Sequence, residues 1–182
     1  MNRRLLFLAA VLLTLTGCAT HNTVADGADG RLMLKGYDPV SYFKADQPAP
    51  GNPTIKADHE GVTYRFMNEE NRALFVKSPD SYKPQYNGFC ANGLVYAIPL
   101  GGNHDTYKII DGRLFMFGGA NSKKYFEMDQ ARNLKLAESY WTSEVRGSIP
   151  RLQSWKRLLF KVPHYKTNKE LAAEWEARQG KK

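Results

Sequence analysis

The fold is decided at residues 107–117, which read YKIIDGRLFMF. Two apolar runs flank Asp111-Gly112, and an Asp-Gly pair readily takes the positive φ angles of a two-residue hairpin turn. The pattern therefore predicts a hairpin of two antiparallel strands, over residues 107–110 and 114–117.

A second hairpin has the same form. Residues 54–58 and 62–67 are rich in β-forming side chains and flank the turn Glu60-Gly61. Residues 32–35 predict one further short strand, and residues 44–53, which are rich in Pro and Gly, predict a loop. These strands are the β part of the predicted fold.

Capping residues mark the starts of helices. Asn, Asp, Ser and Thr accept hydrogen bonds from free N–H groups of a first helical turn, and a Glu three residues later completes a capping box. The predicted helices start at Asp38-Pro39, at Asn68 (ending at Lys77), at Asn121, at Asp129 (reaching about Val145) and at Thr167 (with Glu170, ending near Gly180), and the apolar residues 88–98 predict a buried helix. Strands and helices mix without a regular βαβ alternation. The predicted fold class is therefore α+β, a small mixed domain with short antiparallel hairpins and several helices.

Length and composition favour one domain of ordinary size. The chain has 182 residues, of which 42% are hydrophobic and 12% aromatic, so it is too apolar to be disordered. It is also too short for a multidomain enzyme. Two cysteines exclude a disulfide framework and a four-cysteine zinc site.

The N-terminus has the pattern of an export signal. Arg3 and Arg4 precede an apolar run over residues 5–15, which suits a secretory signal and is too short to span about 30 Å of hydrocarbon. The run ends in LTGC at residues 15–18, which resembles a bacterial lipobox. We therefore predict a lipoprotein signal peptide over residues 1–17 and lipid attachment at Cys18. An ordinary signal peptide that is cut near this cysteine is the alternative.

The predicted anchor sets the predicted location. Two or more acyl chains hold a protein stably on a bilayer, and Ala19 in place of Asp resembles the Gram-negative pattern for the outer membrane. We expect a lipid-anchored protein of the cell envelope, at the outer membrane and facing the periplasm. Residues 18–30 are small and polar, which predicts a tether between the lipid and the fold.

The basic charge is concentrated at the C-terminus. Residues 146–182 contain ten Lys or Arg and three Glu, a net charge of +7 within a whole-chain charge of +8. Nucleic acid is not an expected partner of an exported lipoprotein, whereas an anionic lipid surface attracts basic segments by about 1 kcal/mol per charge. We therefore predict a basic helical C-terminal extension over residues 147–182 that contacts anionic lipid.

One predicted helix of this extension is amphipathic. Over residues 151–161, Leu152, Trp155 and Leu159 fall on one helical face. This helix either lies in a membrane interface or packs its apolar face on the body with its charges in water. In the first arrangement the membrane contacts are Arg151, Trp155, Lys156 and Arg157.

An ordered series of residues in the body resembles the YHS domain family. The matching residues are Gly36-Tyr37-Asp38-Pro39-Val40-Ser41-Tyr42-Phe43, Gly61, Tyr64-Arg65-Phe66, Asn71-Arg72, Phe75, Pro79, Tyr82, Pro84-Gln85-Tyr86-Asn87-Gly88-Phe89-Cys90-Ala91, Asp111-Gly112-Arg113-Leu114-Phe115 and Trp141. The resemblance covers a YHS-like domain over about residues 31–146 and implies a small α+β fold with a metal-binding or interaction role. Residues 66–70 contain no cysteine, so they cannot build the thiolate site of YHS modules attached to metal-transporting ATPases.

Cys90 is the spare thiol when Cys18 carries lipid. It is a thiolate metal ligand, a nucleophile or a buried small hydrophobic residue. His104-Asp105, in a loop rich in glycine, is either a solvated turn or a source of an imidazole ligand. One thiolate and one imidazole make a partial site for zinc or copper.

Two further residues complete the candidate site. Asp38 is either a helix cap or a ligand, and Tyr86 is either a core residue or part of a pocket. The candidate metal-binding or ligand-binding residues are Cys90, His104, Asp105, Asp38 and Tyr86. The candidate cofactor is a divalent or copper ion.

Two functions remain open at this point. The first is a non-enzymatic, envelope-anchored YHS-domain lipoprotein that binds a metal ion, a small ligand or an envelope protein. The second is a thiol-dependent enzyme that uses Cys90 with a histidine base. The first is favoured because the sequence contains no glycine-rich phosphate loop, no Gly-x-Ser-x-Gly elbow and no His-Glu-x-x-His motif.

Overall fold

A computed structural model describes residues 20–45 and 47–180. The predicted signal peptide and Cys18 lie outside the described residues. The strands are β1 (Thr23–Asp26), β2 (Asp29–Met33), β3 (Asn52–His59), β4 (Val62–Phe66), β5 (Asn103–Ile110) and β6 (Arg113–Phe117). The helices are α1 (Ser41–Lys44), α2 (Glu69–Lys77), α3 (Pro79–Tyr82), α4 (Ala91–Leu94), α5 (Ala120–Glu127), α6 (Gln130–Tyr140), α7 (Pro150–Leu159) and α8 (Asn168–Gln179). The predicted α+β class is confirmed.

Both predicted hairpins are confirmed. β3 pairs with β4 and β5 pairs with β6, each antiparallel. The turn residues Glu60-Gly61 and Asp111-Gly112 all have positive φ, as a tight hairpin turn requires. β1 to β4 form one sheet in the order β1-β2-β4-β3, and β5-β6 form a separate sheet.

The two hairpins belong to two copies of one backbone unit, residues 32–78 and 84–129. Each unit opens with a left-handed turn, with φ of 54°, 53° and 84° at residues 34–36 and of 54°, 53° and 78° at residues 86–88. A short helix, an eight-residue strand, a five-residue strand and a second helix follow in each. Ser78 directly follows α2, and Asp129 follows α5 after Met128; both residues have a φ of −148°. The chain therefore contains an internal structural duplication.

Hydrogen bonds and aromatic packing repeat with the backbone. The equivalent backbone bonds are Asp38 N to Ala49 O and Cys90 N to Leu100 O, then Gly51 N to Gly36 O and Gly102 N to Gly88 O. The equivalent ring pairs are Phe66–Phe75, with centroids 5.2 Å apart, and Phe117–Phe126, at 5.3 Å. Both units thus use the same interactions to close their hairpin against the following helix.

Each unit has its own hydrophobic core, and β6 contributes to both. Successive residues of a strand point to opposite faces. Leu114 and Met116 are buried in the core of the first unit, whereas Phe115 and Phe117 are buried in that of the second. The two units are therefore joined through this strand.

Residues 20–30 are part of the fold, which corrects the tether predicted over residues 18–30. β1 and β2 pair antiparallel. The buried guanidinium of Arg65 bonds to Asp26 and to Asp29, each at 2.6 Å. The aspartates of this segment are therefore partners of a buried cation. The small, polar composition of the segment is also typical of linkers, so composition alone does not reveal this role.

The predicted buried helix over residues 88–98 is wrong. The segment is buried, but only Ala91–Leu94 form a helix. Gly88 and Ala97 have φ of 78° and 57°, and left-handed residues do not continue a right-handed helix. The predicted short strand over residues 32–35 likewise ends at Met33, where the left-handed turn of the first unit begins.

The other predicted helix starts are largely confirmed. The Asn68 side chain accepts a hydrogen bond from Asn71 N, and Thr167 with Glu170 forms the predicted capping box. Asp129 directly precedes α6, which continues as a π-helical turn over Trp141–Val145. Asn121 is not a cap, because α5 begins one residue earlier and follows Gly119.

The predicted helical extension is confirmed as α7 and α8. His164, between these helices, lies with its Nε2 2.8 Å from Val95 O and its ring between those of Tyr96 and Tyr140. Both helices are thereby held against the second unit. Among the residues that the structure describes, no helix is long and apolar enough to cross a membrane.

Candidate functional site

Asp38 is fully buried and connects two parts of the first unit. Its Oδ1 accepts a hydrogen bond from Val40 N at 2.8 Å, and its Oδ2 accepts from Met67 N at 2.9 Å and Asn71 Nδ2 at 2.7 Å. The carboxylate caps the turn before α1, which begins at Ser41 rather than directly after Asp38 as predicted. Because three internal donors occupy its oxygens, Asp38 is a structural group and not a free ligand.

Cys90 occupies the equivalent position in the second unit. Its Sγ lies 3.1 Å from Ser122 Oγ, and Ser122 is the counterpart of Asn71. The residue is 2% exposed, and a Cβ on the neighbouring Gly118 would lie 3.8 Å from the sulfur. These surroundings are those of a buried small hydrophobic residue with one weak hydrogen bond.

His104 and Asp105 interact with other residues than Cys90. The His104 ring packs on Tyr37, with centroids 4.1 Å apart, and its carbonyl oxygen accepts a hydrogen bond from Tyr42 Oη at 2.7 Å. Asp105 is exposed. Within residues 20–45 and 47–180, no three His, Cys, Asp or Glu side chains are grouped as metal ligands. The geometry therefore gives the predicted zinc or copper site no complete ligand set.

Tyr86 is a core residue of the second unit. Its ring packs on Phe115 and Trp141, with centroids 5.5 and 5.6 Å apart. The hydroxyl is buried and has no hydrogen-bond partner among the described residues. Burial, together with the negative charge of Glu138, raises the pKa of the Tyr86 phenol. The phenol therefore stays protonated and is a poor metal ligand.

Helix α7 turns its apolar side outward. Four apolar residues of α7 and the residue that follows the helix are each more than half exposed, and we call this surface the α7 apolar face: Leu152, Trp155, Leu158, Leu159 and Phe160. The polar Gln153 is instead buried and donates a hydrogen bond to Ala97 O at 3.1 Å. The helix thus packs on the body, as one of the two predicted alternatives has it, but it does so through Gln153 and not through its apolar residues.

Glu144 holds α7 on the body. Its carboxylate pairs with Arg157, with Lys156 Nζ at 3.0 Å and with Gln153 Nε2 at 3.2 Å. Burial opposes ionisation, but the hydrogen bonds from these three side chains outweigh it and lower the pKa of Glu144. Two of the predicted membrane contacts, Lys156 and Arg157, thus bind within the protein, whereas Arg151 is exposed.

A groove of about 700 Å³ lies between the second unit and the extension, and we call it the α5–α7 groove. Its volume is in the range of pockets that bind small molecules. Its main apolar lining residues are Tyr96, Ile98, Leu100, Tyr125, Leu158 and Leu171. Leu158 also belongs to the α7 apolar face, so the groove opens beside that face.

The groove was not predicted from the sequence. Its walls come from three segments that are far apart in the chain, around residues 92–100, 118–125 and 154–171, and no local motif marks them. The periodic apolar residues of α7 were visible, but which side of the helix packs on the body was not. Comparisons of the chain with family models, with curated proteins and with solved structures find no match.

Proposed function

We propose that this chain is a non-enzymatic YHS-type lipoprotein of the cell envelope, anchored through Cys18, whose α7 apolar face lies on an anionic membrane surface. The observation that carries the proposal is the orientation of α7. A helix that serves only its own fold buries its apolar face, whereas this helix buries Gln153 and exposes the α7 apolar face. A membrane interface is an environment in which that orientation is favourable.

The charge around α7 supports an anionic surface as the partner. Residues 147–169 contain six Lys or Arg; Lys156, Arg157 and Lys166 pair with Glu144 or Glu174, and the other three have no carboxylate partner among the described residues. Each basic residue near an anionic leaflet contributes about 1 kcal/mol, and tryptophan favours the membrane–water interface. A basic, apolar surface beside a lipid anchor adds a second membrane contact to the one that the acyl chains make.

A binding role is better supported than catalysis. Cys90, the nucleophile of the enzymatic alternative, is buried, and its hydrogen-bond partner is Ser122 rather than an imidazole. The α5–α7 groove, in contrast, offers an open cavity beside the proposed membrane contact.

Vesicle binding by the full chain tests the proposal. We expect the double variant Trp155→Ser, Leu159→Ser to bind vesicles of phosphatidylglycerol and phosphatidylcholine on the order of tenfold or more weakly, because two apolar side chains no longer enter the interface. The matched control is Val76→Ser, which removes a side chain that is 57% exposed on α2. This control should bind like the wild type.

Tryptophan fluorescence distinguishes the membrane contact of α7 from that of the lipid anchor. The anchor contributes equally to vesicle binding by the wild type and by the variants. Doxyl-labelled lipid should quench wild-type fluorescence and should quench the Trp155→Phe variant less. Equal vesicle binding by the double variant, with no quenching attributable to Trp155, would refute membrane docking by α7.

A further inference from the structure

The walls of the α5–α7 groove are mostly apolar. Leu100 and Leu158, each 54% exposed, line it together with Ile98 and Leu171. Such a lining stabilises a hydrocarbon chain by removing it from water. The apolar part of any ligand can therefore be an alkyl or acyl chain.

The polar part of the lining favours an anion. Among the described residues that line the groove there is no Asp or Glu, and Lys166 is present. The Lys166 ammonium pairs with Glu174 at 2.5 Å, and Glu174 also pairs with Arg178, so Glu174 is shared between two cations. Glu170 and Glu174 bond to the lining residues Thr167 and Lys166, but neither carboxylate lines the groove itself.

The start of α5 adds to this preference. In the first unit, Asn68 caps α2, and Glu69 and Glu70 occupy its first turn. In the second unit, the equivalent positions are Gly119, Ala120 and Asn121, with no side-chain cap and no acidic residue. All three line the groove, so the free N–H groups of the first turn of α5 lie at its wall. The duplication thus shows one self-capped helix and one whose N-terminus is open to a ligand.

We infer that the α5–α7 groove binds a single-chain anionic amphiphile, with its hydrocarbon chain on the apolar walls and its head group near α5 and Lys166. The inference rests on the proposed function in one respect, since the adjoining α7 apolar face would place the groove at a membrane that supplies such molecules. The chemistry required is that of a fatty-acid carboxylate or a single-chain phospholipid.

Calorimetric titration of the full chain with octanoate, decanoate and dodecanoate tests the inference. The fatty acids are kept below their micelle concentrations and no vesicles are present. Affinity should increase by up to about fourfold for each added methylene group, because each is transferred from water to an apolar wall. Dodecanol and dodecyltrimethylammonium should bind more weakly than dodecanoate. A flat chain-length series, or equal binding of the three head groups, would overturn the inference.

Matched variants locate the site. Asn121→Trp, at the second residue of α5, fills the groove and should reduce dodecanoate affinity at least tenfold. Ala131→Trp, at the second residue of α6 and outside the groove lining, should leave it unchanged. Leu100→Asp changes an exposed groove residue without touching the core and should also weaken binding. Unchanged affinity in both groove variants would overturn the assignment.

The two proposals fail in different experiments. Asn121→Trp should still bind anionic vesicles like the wild type, because α7 is unchanged. The Trp155→Ser, Leu159→Ser variant should still bind dodecanoate in solution. Loss of vesicle binding with retained dodecanoate binding, or the reverse, therefore identifies which surface is responsible.

Discussion

The Asp38 carboxylate and the Cys90 thiol occupy equivalent positions but make bonds of different strength. Asp38 accepts three hydrogen bonds, whereas Cys90 has one partner, Ser122. Hydrogen bonds to an ionised acceptor are roughly twice as strong as neutral ones, and a thiol is a weak donor. The first unit is therefore held more firmly at this point than the second.

Replacing Asp38 should destabilise the fold. Asp38→Ala leaves Met67 N and the Asn71 amide without their acceptor in a buried place, which should lower the free energy of unfolding by about 3 kcal/mol. Urea denaturation measures the change. The matched control is Asp105→Ala, whose side chain is exposed, and its effect should stay within about 0.5 kcal/mol. A loss below about 1 kcal/mol for Asp38→Ala would contradict the structural role.

Thiol reactivity should distinguish a structural Cys90 from a nucleophile. At 2% exposure, the thiol of the folded protein should react with Ellman's reagent only as fast as the protein opens. Adding denaturant should therefore speed the reaction strongly. A rapid reaction at Cys90 of the native protein at neutral pH, located by peptide mapping, would instead support the thiol-dependent enzyme.

At the scale of elements, α7 shows how a polar contact can determine which side of a helix packs. Glu144 binds Lys156, Arg157 and Gln153 of α7. Because these residues hold the helix on the body, the α7 apolar face is exposed to solvent. The pattern of apolar residues alone would place that face on the body. The partly buried carboxylate of Glu144, on the preceding π-helical turn, instead brings the polar side of α7 against the body.

The attachment of α7 should depend on pH through Glu144. Because its pKa is lowered in the folded protein from an ordinary value of 4.5, the ion pairs contribute stability at higher pH, and this contribution is lost as pH falls below 4.5. Glu144→Gln cannot make these ion pairs at any pH. The difference in Tm between wild type and Glu144→Gln should be largest near pH 6 to 7 and should narrow towards pH 3. A difference that stays constant over this range would contradict the assignment.

Elements set by local chemistry could be predicted from the sequence. The Asp111-Gly112 turn and the Thr167–Glu170 capping box depend on neighbouring residues only, and both were predicted correctly. Residues 88–98 were not, because their left-handed residues are imposed by contacts with distant parts of the chain. Gly88, for example, has a φ of 78° and would carry a Cβ 3.0 Å from Met33 Sδ. An apolar composition shows that such a segment is buried but not how its backbone runs.

For the whole molecule, β6 should make unfolding a single event. Leu114→Ala removes a fully buried side chain from the core of the first unit and should cost about 3 kcal/mol. Because Phe115 and Phe117 of the same strand belong to the second core, hydrogen exchange should become faster in both units together. The exposed substitution Val76→Ala serves as the control. Loss of protection in the first unit alone would contradict this coupling.

The duplication was not apparent from the sequence, because few equivalent residues are identical. Gly36 and Gly88, Phe66 and Phe117, and Phe75 and Phe126 are kept, whereas Arg65 is replaced by Met116 and Asp38 by Cys90. The shared backbone needs glycine where two segments lie close together and aromatic rings in the core. At the other positions many different side chains are compatible with it. The candidate site was missed for a related reason, since the groove exists only where the second unit meets the extension.

Asn22 gives the N-terminal segment a consequence for how the protein is presented. Its amide donates hydrogen bonds to Gly88 O at 3.0 Å and to Gly102 O at 2.8 Å, only four residues after the proposed lipid-bearing cysteine. Four extended residues reach about 14 Å at most. In an acylated chain, Asn22 would therefore stay within this distance of the lipid-bearing residue, and the fold could not move far from the bilayer. The part of the surface around Gly88 and Gly102, to which Asn22 is bonded, would stay close to the lipid head groups, and any partner would have to approach the bilayer to meet it.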